Sequence, residues 1–233
     1  ALIRWNHPSM GLLLPSKFLP LAEETGLIIE IDQWVMKTAM KQVSKWYEEG
    51  LTPGILALNL AVKQLEDESF LQTVKESIGI CNFKSEWLEL EVTEGQVMQK
   101  PDETIVKLNQ LNDLGIGIAI DDFGTGYSSL SHLKRLPINK LKIDQSFVQD
   151  VPGDEEDVAI VKAIIALAKS LNLDLIAEGV ETSEQRTFLH DQGCINIQGY
   201  YYDHPMPAEE MHTILSKKGD MKPATEKYGL TIQ

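Results

Sequence analysis

Apolar residues recur along this chain with two periods, and the two periods alternate. Helical spacing of about 3.6 residues puts Ile31, Val35, Ala39, Met40, Val43 and Trp46 on one face. The same spacing joins Leu65, Phe70, Leu71, Val74 and Ile78 in a second predicted helix. A third carries Ile105, Leu108, Leu111 and Leu114, with Gly115 placed to stop it. Val158, Val161, Ile164, Ile165, Ala168 and Leu171 form a further stripe. Thr182 with Gln185 is a capping-box signature and Gly193 the matching stop. Met211, Ile214 and Leu215 mark a last helix after Pro207. Methionine and tryptophan on these faces read as core.

Between the helices lie short runs of period two, at residues 55–61, 88–92, 116–121, 140–144, 173–178 and 195–198. In each, aliphatic residues alternate with small or polar ones. Strand–helix alternation predicts βαβ units and a parallel sheet. A doubly wound sheet buries both faces and reads as continuous apolar runs. Here one face is apolar and the other small or polar, which fits a barrel whose outer face packs on helices. The competing reading, an antiparallel sheet with one wet face, leaves the intervening helices unexplained. The opening run Ala-Leu-Ile-Arg-Trp predicts a strand at residues 1–5, and with no Met before it the domain is expected to continue upstream. Residues 1–216 are expected to form the barrel and 217–233 a polar C-terminal extension.

Composition narrows the function classes. The chain has 233 residues, 43% of them hydrophobic, which excludes disorder. Thirty-five acidic against 21 basic residues give a net charge of −14. That balance opposes binding to a DNA or RNA polymer, which needs a basic face. Cys81 and Cys194 form no disulfide framework or zinc cluster and read as reduced thiols of a cytoplasmic domain. No apolar run approaches ~18 residues, so any membrane tether of the parent protein lies in segments not present here.

The predicted strands end on polar residues: Asn59, Glu91, Asp121, Lys142, Glu178 and Gln198, each at least 20 residues from the next. Barrel enzymes build their sites on that rim. Converging acids repel one another in a concave site, and a hard divalent cation compensates them. With oxygen donors and neither His nor Cys at these positions, Mg²⁺ or Mn²⁺ is preferred over Zn²⁺. Asp121 and Asp122 face opposite ways if the strand runs on, so both serve one site only if it ends there, with 123–126 as a turn. Asp-Asp before a glycine also fits a plain turn or helix cap. Lys142 on an inner face needs a carboxylate or a phosphate as partner.

Several runs together resemble the EAL-type cyclic di-GMP phosphodiesterase domain. They are Ala1-Leu2-Ile3-Arg4, residues 20–26, Asn59-Leu60, Glu89-Leu90-Glu91-Val92-Thr93-Glu94, residues 121–130, Lys142-Ile143-Asp144, residues 177–181 and Gln198-Gly199-Tyr200. The resemblance implies a modified TIM (β/α)8 barrel, with its N-terminal antiparallel strand and the motif's glutamate ahead of Ala1. It implies hydrolysis of cyclic di-GMP to linear pGpG with two Mg²⁺ or Mn²⁺ ions. On this pattern Asn59, Glu91, Asp121 and Asp122 are metal ligands, Lys142 orients the attacking water and Glu178 is the general base. Arg4, Gln198 and Glu181 become substrate-side residues. Glu94 anchors the loop 123–129, which in the family couples metal binding to a homodimer. Upstream sensory or cyclase domains are expected in the parent. Ala61, Gly95 and residues 202–205 depart from the usual pattern, and none of them is a metal ligand. The alternative within the family is a catalytically silent receptor for cyclic di-GMP, or a scaffold.

Overall fold

In the computed structural model, residues 1–126 and 130–218 are described; for Val62, Leu130 and Lys218 only the backbone is. The chain starts with an antiparallel hairpin, β1 (Trp5–His7) and β2 (Gly11–Leu13), in which Trp5 pairs with Leu13. The expected strand over residues 1–5 is thus realised only from Trp5 onward. The His7 Nδ1 atom accepts from the Ser9 and Met10 amides and closes the turn. A 3-10 turn at Pro15–Lys17 leads to α1 (Leu19–Thr25), stopped by Gly26 at φ 81°, and then to α2 (Ile28–Glu48).

Strand–helix alternation follows as expected. β3 (Leu56–Asn59) leads to α3 (Val62–Glu66) and α4 (Phe70–Ile80). One helix was expected across this stretch. It breaks because the Asp67 side chain takes the Ser69 amide at 2.9 Å, a local bond that competes with the helical ladder. β4 (Leu88–Thr93) runs into α5 (Glu94–Gln99), closed by a Thr93–Gln96 capping box, and α6 (Pro101–Asn112) follows. β5 (Gly117–Phe123), α7 (Leu130–Leu133), β6 (Lys140–Ile143), α8 (Gln145–Val148) and α9 (Glu155–Leu171) come next. The last elements are β7 (Asp174–Ala177), α10 (Ser183–Gln192), β8 (Asn196–Ile197) and α11 (Ala208–Lys218). The remainder of the expected extension, 219–233, lies outside the described residues.

β3 to β8 form one parallel sheet in unbroken chain order, curled into a half-barrel. A doubly wound sheet reverses its order at a switch point; this sheet does not. The outward aliphatics Leu58, Leu90, Val92, Ile118, Ile120, Leu141 and Ile143 are buried under helix residues such as Met40, Val74, Leu108 and Val161. Cys81 and Cys194 are buried, unpaired thiols. Among the described residues no helix is long and apolar enough to cross a membrane.

Candidate active site

Inward residues near the ends of several strands share one rim, and Lys142 gathers three of them. Its Nζ lies 2.8 Å from Glu91 on β4, 3.0 Å from Asp121 on β5 and 2.7 Å from Glu178 just past β7. Lys142 itself is 4% exposed. Burial works against its charge, but Glu91 and then Glu178 outweigh that and hold its pKa above the ordinary lysine value. Burial likewise pushes the Glu178 carboxyl up; the Lys142 ammonium opposes the shift, and Asp121 and Glu91 add to it. Asn59 stands in register beside Glu91 at the end of β3. The Ala1 amino group donates to the Ala57 carbonyl at 2.5 Å, so the first residue lies along β3. Burial lowers its pKa, and the charges of Glu91 and Lys142 both reach it.

Asp121 and Asp122 share the rim by a different device from the expected turn. β5 continues to Phe123, and the pairing with β6 slips between Ile120 and Phe123. Ile120 pairs with Leu141 and Phe123 with Ile143, so Asp121 and Asp122 form a β-bulge opposite Lys142. Asp122 takes the left-handed conformation at φ 52°, which Asp tolerates better than most residues. Its carboxyl meets that of Asp144, the N-cap of α8. Burial, then the Asp121 charge, then Asp144 push Asp122 up to about 6. Burial also acts on Asp144, but bonds from Ser146 hold it below its ordinary value. Asp144 was given no role from sequence, although it continues the Lys142 alternation.

Glu94 is 2% exposed and accepts the Gly124 amide at 2.9 Å. A side chain at Gly126 would come within 2.9 Å of that carboxylate. Residues 127–129 of the expected coupling loop lie outside the described residues. Gln198 lies beyond β8 with its amide on the Ala177 carbonyl, and the Val180 amide bonds to its carbonyl. The Arg4 guanidinium donates to the Ile3 carbonyl, and the Glu181 amide to the Gln185 side chain. Among the described residues no hydrogen bond or ion pair joins these three to the Lys142 cluster. A second interior pair escaped the sequence reading: Lys140 on Glu89, at 2.7–2.8 Å. The signal was present in the alternation, but not the pairing.

The sequence pattern of the EAL domain matches residues 1–205. Over 211 residues the chain is 46% identical to the bifunctional diguanylate cyclase/cyclic di-GMP phosphodiesterase MucR of Pseudomonas aeruginosa, covering 91% of this chain and 31% of that protein. The cyclic di-GMP phosphodiesterase NbdA of the same organism is 41% identical over 92% of this chain and 28% of its own length. The chain therefore spans about a third of these curated relatives. The solved MucR phosphodiesterase in complex with c-di-GMP superposes with a TM-score of 0.88, over 91% of this chain and 85% of that one. A converging carboxylate–lysine rim, a half-barrel in unbroken strand order and these matches lead to one conclusion: the chain belongs to the EAL domain family.

Proposed function

We propose that this domain hydrolyses cyclic di-GMP to linear pGpG, with Asn59, Glu91, Asp121 and Asp122 as the ligands of Mg²⁺ or Mn²⁺. The observation that carries the reading is the Lys142 ammonium held by carboxylates from three strands on one rim. The names of MucR and NbdA, and the c-di-GMP complex of the MucR phosphodiesterase, support the substrate. An all-oxygen donor set suits a hard divalent cation. Among the described residues no group of three or more His, Cys, Asp or Glu side chains is set to hold a metal ion as it stands; the Lys142 ammonium lies between the carboxylates. The donors fit by chemistry, and Lys142 must share them with incoming ions. Two bound ions would supply Lewis-acid stabilisation of the phosphodiester charge and a more acidic attacking water.

The chain's own residues do the rest. Glu178, its carboxyl raised by burial, takes the proton from the attacking water as general base. Lys142, 2.7 Å from Glu178, orients the attacking water. As the water oxygen bonds to phosphorus, the bond to one ribose 3′ oxygen breaks and that oxygen is protonated, opening the ring to pGpG. Arg4, Gln198 and Glu181 line the substrate side, and Glu94 ties the 123–129 loop to a homodimer.

The test is pGpG formation with Mg²⁺ or Mn²⁺ against an EDTA control, with and without a glutamate placed ahead of Ala1. Metal-dependent product is expected. Glu178→Gln should keep nucleotide binding and lose turnover by about 10²- to 10³-fold; near-parent turnover would refute the base assignment. Tight binding without product under either metal would make the domain a receptor. Monomeric mass in light scattering at ~50 µM with metal and nucleotide would refute the dimer.

A further inference from the structure

Two lysine–glutamate contacts cross the barrel interior, one above the other. β4 sends Glu89 and Glu91 inward, and β6 sends Lys140 and Lys142. Between these strands runs β5, whose residues paired with Glu89 and Glu91 are Gly117 and Ala119. Both are small enough for the long side chains to meet across them. A side chain at Gly117 would already touch Glu89, at 3.8 Å from its Cβ.

The pairing is diagonal. Through Ala119, the register sets Lys140 level with Glu91, not with Glu89. Lys140 nevertheless bonds both oxygens of Glu89, at 2.8 and 2.7 Å, one rung lower. Lys142 then takes Glu91 from above. Glu91 thus has two lysines within one rung, and only one of them bonds to it.

We propose that Glu89 is a positioning residue: it holds Lys140 one rung below the site, so that Glu91 is left to Lys142 and to a divalent cation. The metal part of this inference rests on the phosphodiesterase reading. Within the pair the net charge is zero, so the rim above feels a short-range dipole in place of a full charge. Without Glu89, the Lys140 ammonium turns to the carboxylate at its own level and competes there with a cation. Without Lys140, the buried Glu89 charge is unpaired and draws Lys142 down, away from Glu178. The two lesions therefore act in opposite senses on cation binding, which a loss of packing would not produce.

The experiment is Mn²⁺ titration calorimetry without nucleotide, together with kcat and KM per folded molecule. It compares the parent chain, Glu89→Gln, Lys140→Met, the double variant, and Lys140→Arg, which keeps the charge. Glu89→Gln should weaken Mn²⁺ binding about tenfold. Lys140→Met should bind Mn²⁺ as tightly as the parent or more tightly, while kcat falls about tenfold and KM stays within about twofold. The double variant should return both readouts to within about threefold of the parent, and Lys140→Arg should stay there. The proposal is overturned if the variants lose only stability, or if both singles weaken Mn²⁺ binding alike. It is also overturned if the double variant is no better than the worse single. A parent that binds Mn²⁺ but makes no pGpG sinks the phosphodiesterase reading, and the Mn²⁺ arms still decide the role of Glu89. A parent that binds no Mn²⁺ even with a glutamate placed ahead of Ala1 overturns both.

Discussion

Lys142→Met keeps the unbranched stem and removes the charge that three carboxylates share. The ammonium lies 2.8 Å from Glu91, 3.0 Å from Asp121 and 2.7 Å from Glu178. At about 3 Å and an effective dielectric of about 20, each contact represents roughly 6 kcal/mol of Coulomb attraction. Most of that is offset by desolvation of the ions. What an experiment reads is the loss on removing one partner, about 3–5 kcal/mol for a buried pair. Here one lysine leaves three carboxylates behind, so the upper end of that range is expected near pH ~8.

The loss carries a pH signature. Glu178 already sits above its ordinary value with Lys142 present, because of burial. Without Lys142 the folded variant binds more protons than its unfolded chain over the weakly acidic to neutral range. Its stability then falls as pH rises and recovers towards pH ~5. The contribution of the lysine itself, with its raised pKa, is fully present below the ordinary value of ~10.4 and is lost only above it. It stays outside this window. Urea unfolding in EDTA near pH ~8 and ~5 measures both effects. A loss under about 1 kcal/mol near pH ~8, or the same loss at both pH values, would refute the reasoning.

Three further outcomes follow from individual contacts. Asp32 is pushed up to about 6, chiefly by burial, with Ala61 opposing and Glu23 adding, and its Oδ2 is buried without a hydrogen-bond partner. Asp32→Asn should raise the Tm near pH ~8 by a few °C, raise it less near pH ~5 and leave it unchanged only near pH ~3, below the ordinary carboxyl value; an equal gain near pH ~8 and pH ~3 would count against this. A Cβ at Gly199 would lie 2.1 Å from the Val180 carbonyl oxygen, so Gly199→Ala should cost more than about 2 kcal/mol in urea unfolding. Thr182→Ala opens the capping box of α10 and should lower stability by about 1 kcal/mol in the same assay.

Much of the barrel is legible because its signals are local. Each outward strand residue announces its face by period two, as at Leu88, Leu90 and Val92, and the structure buries all three. Helix ends are equally local: Gly193 stops α10 at φ 90°, and Thr182 and Gln185 cap its start. Where reading fails, a local competitor was overlooked. The Thr93–Gln96 box has the same form as the one at Thr182, yet α5 went unpredicted. The Asp67–Ser69 bond broke a helix that apolar spacing alone continued.

Sequence alone determined which residues could carry chemistry: Asn59, Glu91, Asp121, Lys142 and Glu178 end successive strands, and alternation puts them on the polar face. It also pointed to a parallel barrel-type sheet, because helices separate the strands; that six strands pair in chain order as a half-barrel is seen in the structure. Only the tertiary structure decided who meets whom. Lys142 lies between three carboxylates and Lys140 steps past Glu91 to Glu89 because register and the small residues of β5 set distances across an intervening strand. Asp121 and Asp122 share one rim through a bulge created by the pairing of β5 with β6. Period and spacing specify a face along one strand; contact across strands depends on register, which is set when the barrel packs.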